Sequence, residues 1–181
     1  MPEFRHLSNI IRLRKTLNSV LEPKEVPGIT VRPFAGPDDV AGWLELRTAA
    51  FADLVAAGRP WTAEDFHREF TAKHWWSPDA MFLATSTASR ERQRPESKTP
   101  PITPILGAVT LGRTGRPPHD SASVQWLMVH PAHRRRGIAQ LLLGTLEAEA
   151  WRRGERALTL ETHASWNAAI ELYRKAGYVP A

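Results

Sequence analysis

The chain has 181 residues, of which 42% are hydrophobic and 24% charged, enough to bury the core of one globular domain. It contains no cysteine, which excludes disulfides, thiolate metal sites and an acyl-cysteine intermediate. The formal net charge of +5 comes with interleaved acidic residues and no nucleic-acid-binding motif, which disfavours nucleic acid as a partner.

Residues 1–27 are predicted to form an N-terminal helical extension. Apolar residues recur there at helical spacing before two prolines, Pro23 and Pro27. The apolar residues are Ile10, Leu13, Leu17 and Leu21. Three roles stay open for this extension: packing on the main domain, mediating a homodimer, or remaining mobile. The chain has no membrane-spanning apolar run and no secretory pattern, so we expect a cytoplasmic protein that does not bind membranes.

Residues 28–181 are predicted to form the main domain. The first strand is expected at residues 29–33, and antiparallel strands are expected at 81–85 and 105–111. Between these last two, residues 86–104 are polar and rich in proline, which predicts a disordered hairpin loop.

Two helices are predicted between the first strand and the second. Asp38 or Asp39 is the candidate N-cap of the first helix, which carries Trp43 and Leu46. Thr62 is the candidate N-cap of the second. Asp65 lies three residues later and only approximates a capping box, because that motif prefers the longer Glu or Gln.

A strand, a basic turn and a helix follow one another at residues 124–150. The apolar strand 124–129 ends before Pro131, and three arginines precede Gly137, where the helix begins. The backbone N–H groups of a first helical turn have no partner within the helix, and the helix dipole adds positive charge there. A glycine lets an anion approach the main chain closely. The turn therefore predicts a phosphate-binding site.

The C-terminal part of the chain continues the alternation of helix and strand. The helix after the turn has a core-facing apolar stripe, and a strand is predicted at residues 157–162. A last helix is predicted from Ser165 to Ala176, with Gly177 ending it. This order implies that strands 124–129 and 157–162 are parallel and joined by a crossover helix.

Two short motifs carry a resemblance to a known family. The spacing Arg134-x-x-Gly137-x-Ala139 resembles the Arg/Gln-x-x-Gly-x-Gly/Ala turn of the GNAT superfamily of N-acetyltransferases. The family's second motif, Ala-x-x-Leu-Tyr-x-x-x-Gly-(Phe/Tyr), is matched by Ala169, Leu172, Tyr173, Gly177 and Tyr178. The resemblance implies an α/β fold: a mixed, partly antiparallel sheet of about six strands with splayed central strands and helices on both faces. Family members continue past the second motif with further strands, so the sheet is expected to lack its last strand.

The resemblance also implies a binding site for acetyl-CoA as co-substrate. Main-chain groups of Leu127, Met128 and Val129 would bind the pantetheine arm and the thioester carbonyl. The phosphates would lie on the turn, formed by Arg134, Arg135, Arg136, Gly137, Ile138, Ala139 and Gln140. The family's cofactor-contacting asparagine corresponds in position to Trp166, and the neighbouring Asn167 is the candidate cofactor contact here. No metal site is expected.

Two catalytic residues follow from the same resemblance. Tyr173 occupies the position of the general acid that protonates the CoA thiolate. Glu161 occupies the position of a catalytic glutamate in bacterial enzymes that acetylate ribosomal-protein N-termini, and it serves either as base or as an anchor for the substrate ammonium. His163 is a second candidate base. Three indoles are candidates to line the acceptor pocket: Trp61, Trp75 and Trp76.

The sequence thus predicts an acetyl-CoA-dependent N-acetyltransferase that moves an acetyl group to a primary amine by direct attack in a ternary complex. The amine belongs either to a small molecule or to a protein N-terminus. The alternative is a catalytically inactive CoA-binding sensor or assembly module of the same fold.

Overall fold

The computed structural model describes residues 9–19, 22–52, 59–87, 104–117 and 119–181. The strands are β1 (Ile10–Thr16), β2 (Ile29–Pro33), β3 (Met81–Ser86), β4 (Ile105–Thr114), β5 (Ser121–Val129), β6 (Ala157–His163) and β7 (Val179–Pro180). The α-helices are α1 (Asp38–Phe51), α2 (Ala63–Phe66), α3 (Ile138–Arg152) and α4 (Asn167–Lys175). A π-helical turn, His67–Thr71, directly follows α2.

Within the described ranges the strands form one seven-stranded sheet in the order β2-β3-β4-β5-β6-β1-β7. Neighbours pair antiparallel except β5 and β6, which are parallel and joined by α3. The mixed sheet and the parallel pair predicted from the sequence are therefore confirmed. No helix in the described ranges is both long and apolar enough to cross a membrane.

The predicted N-terminal helix is wrong, because residues 10–16 form strand β1. Leu13 is buried while its neighbours Arg12 and Arg14 are exposed, which is the alternation of a strand with one covered face. Apolar residues three and four apart fit a helix equally well over so short a segment. Pairing with β6 along the whole of β1 decides the outcome, because it gives the backbone N–H and C=O groups hydrogen-bond partners in the sheet. A short isolated helix would be only marginally stable. Leu21 lies outside the described residues.

Strand β1 occupies the place where the sheet was expected to end early. It lies between β6 and β7, with Leu13 opposite both Leu160 and Pro180. The expectation of a sheet that lacks its last strand is therefore wrong for this chain, because its N-terminal part supplies a strand there.

The core has two parts, one on each face of the sheet. On one face, α3 packs its leucines against β1, β4 and β6, together with Tyr173 and Tyr178. On the other face, α1, α2 and the π-helical turn cover β3, β4 and β5 with an aromatic cluster centred on Trp43. We call these the α3 face and the α1 face. Helices on both faces agree with the fold that the sequence predicts.

Residues 22–28, which precede β2, run along α3. Pro23 lies next to Gly144, where an added Cβ would come within 3.3 Å of the proline, and Val26 lies equally close to Gly137. We call residues 22–28 the strap. The strap approaches α3 closely because Gly144 presents no side chain, and Val26 packs against the α3-face core.

The two predicted caps have different outcomes. Thr62 caps α2, and Asp65 completes a reciprocal capping box despite its shorter side chain. Helix α1 instead begins after Pro37 without a side-chain cap. Asp39 lies in the first turn and pairs with Arg32 of β2, which joins the helix to the edge strand. Residues 88–103 of the predicted loop lie outside the described residues, and β3 extends to Ser86.

Candidate active site

A β-bulge interrupts β5 near its C-terminal end. Gln125 pairs with Thr110 and Met128 with Ala108, so β5 has one residue more than β4 over this stretch. Trp126 has a positive φ of 54° there, which is unusual for a residue with a large side chain. Its indole Nε1 donates a hydrogen bond to Oε1 of the buried Glu69, at 3.0 Å. This hydrogen bond thus connects the bulge to the π-helical turn, which contains Glu69.

Strands β5 and β6 separate where the bulge begins. Their register in the described residues consists of one pair, Ser123 opposite Thr159. Residues 127–129 lie beyond this pair, and Leu127 and Val129 are only half-buried. The backbone of these residues on the β6 side therefore borders a gap between two strands. This confirms the splayed central strands expected from the sequence.

The turn after β5 has the backbone of an anion-binding loop. Arg135 and Gly137 have positive φ values of 62° and 84°, and Gly137 is the N-cap of α3. The N–H of Leu141 donates to the carbonyl of Gly137 at 3.0 Å, as expected for the first complete helical hydrogen bond. The amides of residues 138–140 precede it, so they are the donors that a helix leaves for a ligand.

The three arginines of the turn differ in what they contact. Arg134 donates to the carbonyl of Ala50 at the end of α1, at 2.8 Å, and to that of Val129 at 3.3 Å. Its guanidinium therefore links α1 to the end of β5. Arg135 and Arg136 are exposed, and Arg136 lies 3.0 Å from Nδ1 of His133. Burial, then Arg136 and then His130, lower the pKa of His133 below 6.5.

Tyr173 lies on α4 and is buried in the α3-face core. Its ring packs edge-on against Tyr178, with 5.7 Å between ring centroids. Burial raises the pKa of the Tyr173 phenol well above its ordinary value of 10. The phenol therefore keeps its proton throughout the physiological pH range and is available as a donor.

Glu161 and His163 lie on the α1 face of β6, because the alternating residues Leu158 and Leu160 point into the α3-face core. Glu161 accepts a hydrogen bond from Nε of Arg12 on β1, at 2.8 Å. Nδ1 of His163 accepts the backbone N–H of Ser165 at 3.2 Å. Because a backbone N–H only donates, Nδ1 is the accepting nitrogen and the neutral His163 ring carries its proton on Nε2. The accepting nitrogen is thus already occupied by Ser165, which argues against His163 as the base.

Trp166 and Asn167 occupy the start of α4. Trp166 is the N-cap, and its ring packs 6.0 Å from that of Phe51 and 6.1 Å from that of His163. The indole thus belongs to the α1 face, together with the bulge. Asn167 is the first helical residue and is exposed.

The three indoles suggested for the acceptor pocket all pack against the aromatic cluster of the α1 face. Trp61 stacks against Arg47 at 4.0 Å and lies 4.9 Å from Trp126, so it is next to the bulge. Trp75 and Trp76 pack farther along the same aromatic cluster, with Trp76 against Phe70.

Sequence reasoning missed two residues of this region, Arg12 and Glu69. A helix at residues 1–27 offers Arg12 no neighbouring strand, so that prediction conceals its place opposite Glu161. Glu69 had one available signal, a carboxylate among aromatic residues, but nothing in the sequence pairs it with Trp126.

Comparison with known proteins agrees with this geometry. Residues 40–178 match the Acetyltransferase (GNAT) family. Mycothiol acetyltransferase from Nocardia farcinica is 30% identical over 174 residues, 94% of this chain and 52% of that protein. The crystal structure of a GCN5-related N-acetyltransferase from Sphaerobacter thermophilus superposes with a TM-score of 0.71 at 25% identity, covering 96% of this chain and 48% of that one.

A third similarity concerns the fold alone. The ribosomal-protein-S18-alanine N-acetyltransferase from Escherichia coli has a TM-score of 0.59 at 21% identity, over 84% of this chain and 79% of that one. The chain spans about half the length of the mycothiol acetyltransferase and of the Sphaerobacter protein. The bulged and splayed strands, the arginine–glycine turn and the family match lead to one conclusion: this chain belongs to the acetyltransferase (GNAT) family, whose members use acetyl-CoA.

Proposed function

We propose that this domain transfers the acetyl group of acetyl-CoA to a primary amine, by direct attack within a ternary complex. One observation carries the proposal: β5 bulges at Trp126 and separates from β6, so the backbone of residues 127–129 borders a gap next to the anion-binding turn. Backbone amides in such a gap are suited to polarise a carbonyl oxygen.

The residues of the turn fit the phosphates of CoA. Positive φ at Arg135 and Gly137 turns the backbone toward the amides of Ile138, Ala139 and Gln140. Arg135 and Arg136 add exposed positive charge, while Arg134 fixes the position of the turn against α1. Leu127, Met128 and Val129 would bind the pantetheine arm through their main chain, and Asn167, exposed at the start of α4, is retained as a weaker candidate contact.

Acetyl-CoA supplies an activated thioester carbonyl. As the acceptor nitrogen forms its bond to the acetyl carbon, the bond from that carbon to sulfur breaks, and the departing thiolate takes a proton from Tyr173. The phenol is protonated at every relevant pH, because burial raises its pKa. Glu161 contacts the acceptor amine, whose proton leaves to this carboxylate or to a water on it. Arg12 occupies Oε1 of Glu161, so Oε2 is the oxygen that faces the amine.

Calorimetric titration with acetyl-CoA tests the cofactor half of the proposal. We expect micromolar binding by the wild type and its loss in Gly137→Glu, which places bulk and negative charge in the turn. Gly154→Glu is the matched control, because Gly154 also has a positive φ (88°) but lies beyond the other end of α3. It introduces the same charge and a comparable backbone strain and is expected to bind normally.

Turnover with a panel of amines and peptides tests the catalytic half. Glu161→Gln combined with Tyr173→Phe is expected to abolish acetylation while the affinity for acetyl-CoA stays unchanged. Failure of the wild type to bind acetyl-CoA would overturn the proposal. Binding without turnover of any amine would instead support an inactive CoA-binding module.

A further inference from the structure

Strand β1 brings arginines to the same face of the sheet as Glu161. Arg12 is opposite Glu161 and Arg14 is opposite Thr159 in the register of β1 and β6. The side chain of Leu13, between them, is buried in the α3-face core. Since successive strand residues point to opposite faces, both arginines lie on the α1 face.

On this face, a series of ring contacts connects the end of β6 to the bulge. His163 follows Glu161 on the same side of β6, and its ring begins a chain of ring contacts through Trp166 and Phe51 to Trp126. Neighbouring centroids in this chain are 6.0 to 6.1 Å apart. Arg12 and Glu161 therefore border the region from which an acceptor would approach the gap at residues 127–129.

The guanidinium of Arg12 has unused donors. It contacts Glu161 through Nε, and its side chain remains 75% exposed. In the described part of the chain, NH1 and NH2 of Arg12 have no hydrogen-bond partner. These two groups form one edge of the planar guanidinium fork, which suits a carboxylate.

We propose that Arg12 is a specificity residue and that the preferred acceptor carries a carboxylate a few bonds from its amine. This inference rests on the proposed function. The amine contacts Oε2 of Glu161, and the carboxylate binds NH1 and NH2 of Arg12. Because Arg12 and Glu161 are themselves 2.8 Å apart, the two groups of the acceptor must be close together. An α-amino acid, or a peptide whose second residue is acidic, meets this requirement.

Matched acceptors test the proposal: an α-amino acid against its amide, and a dipeptide X-Asp against X-Asn. The measured quantity is the ratio of kcat/KM for the acid to kcat/KM for its neutral partner. Comparing this ratio between wild type and variant cancels the intrinsic difference in amine basicity. In Arg12→Gln we expect the ratio to fall about tenfold to a hundredfold, mainly through a higher KM for the acid. Arg12→Lys keeps the charge without the fork and should retain part of the preference.

Arg14→Gln is the matched control, since it makes the same charge change on the same strand and face. Arg14 is also exposed, but it is opposite Thr159 rather than Glu161. Its ratio should stay near that of the wild type. An unchanged ratio in Arg12→Gln, with turnover retained or lowered equally for both acceptors, would overturn the inference and leave the proposed function intact. Absence of turnover by the wild type with every amine would overturn both.

Discussion

Trp126 and Glu69 hold the bulge of β5 in place. The indole Nε1 donates to Oε1 of Glu69 at 3.0 Å, and both side chains are buried. One partner comes from the bulge of β5, and the other comes from the π-helical turn after α2. A bond between two irregular segments fixes each of them, so the position of the gap depends on a contact made on the opposite side from α3.

We expect Trp126→Phe to lower both the stability and the affinity for acetyl-CoA. The variant removes a hydrogen bond to a buried carboxylate and leaves the bulge less constrained. Trp43→Phe is the control, because Trp43 is fully buried in the same cluster but its Nε1 has no hydrogen-bond partner in the described residues. Urea unfolding should show Trp126→Phe to be about 2 kcal/mol less stable than Trp43→Phe. Equal stability of the two variants would contradict this account.

Tyr173→Phe is expected to lower kcat about a hundredfold or more without changing the affinity for acetyl-CoA. The phenyl ring keeps the packing against Tyr178, and only the hydroxyl that we propose as the proton donor is lost. Steady-state kinetics and calorimetry together separate the two effects. Tyr178→Phe, which removes a hydroxyl from the neighbouring buried ring, should leave kcat nearly unchanged. A similar loss of kcat in both variants would show that packing, and not proton donation, matters.

A buried ion pair joins β1 to α3. Nζ of Lys15 lies 2.6 Å from Oε2 of Glu147, and the two side chains are only 14% and 8% exposed. Lys15→Met leaves the buried carboxylate without its cation, so we expect a loss of about 3 kcal/mol in unfolding free energy by urea titration.

The double variant Lys15→Met with Glu147→Leu provides the control for this ion pair. It removes both charges and fills similar volume, so most of the lost stability should return. A double variant less stable than Lys15→Met would show that the pair itself, and not the uncompensated charge, determines the stability.

The stability near the turn should depend on pH through His133. Its folded-state pKa is lowered by burial first, then by Arg136 and His130, whereas the unfolded value is near 6.5. Below pH 6.5 the unfolded chain therefore binds more protons, so stability falls as the pH drops through this range. In Arg136→Gln one cause is removed, and NMR titration should show the pKa of His133 moving up toward 6.5. An unmoved pKa would exclude Arg136 as a cause.

Local patterns in the sequence were sufficient for most of the fold. The first strand of the main domain was predicted at residues 29–33 and is found there, and the turn at Gly137 begins α3 as expected. These elements have strong local determinants: alternating apolar residues, a proline or a glycine. The splay of the central strands was expected only from the family resemblance, and the bulge itself has no local signal, because nothing in the sequence marks Trp126 for a positive φ.

The N-terminal segment shows where local patterns fail. Ile10, Leu13 and Leu17 fit a helical stripe, but β6 offers a free edge that only a strand can satisfy. That edge is formed by residues far away in the sequence, and tertiary pairing overrides a weak local preference. The same error concealed the contact between Arg12 and Glu161, since a contact between distant segments depends on the topology.

The strap and β1 also have a consequence for synthesis on the ribosome. β1 leaves the ribosome before β6 exists, although Ile10 must pair with His163. At ordinary elongation rates the strand waits roughly ten seconds for its partner, with its backbone groups unpaired. The strap lies along α3 in the folded domain, so its packing also waits for a helix that is made later. Both neighbours of β1 in the sheet, β6 and β7, are made after it, so β1 is one of the first strands to be made and one of the last to be paired.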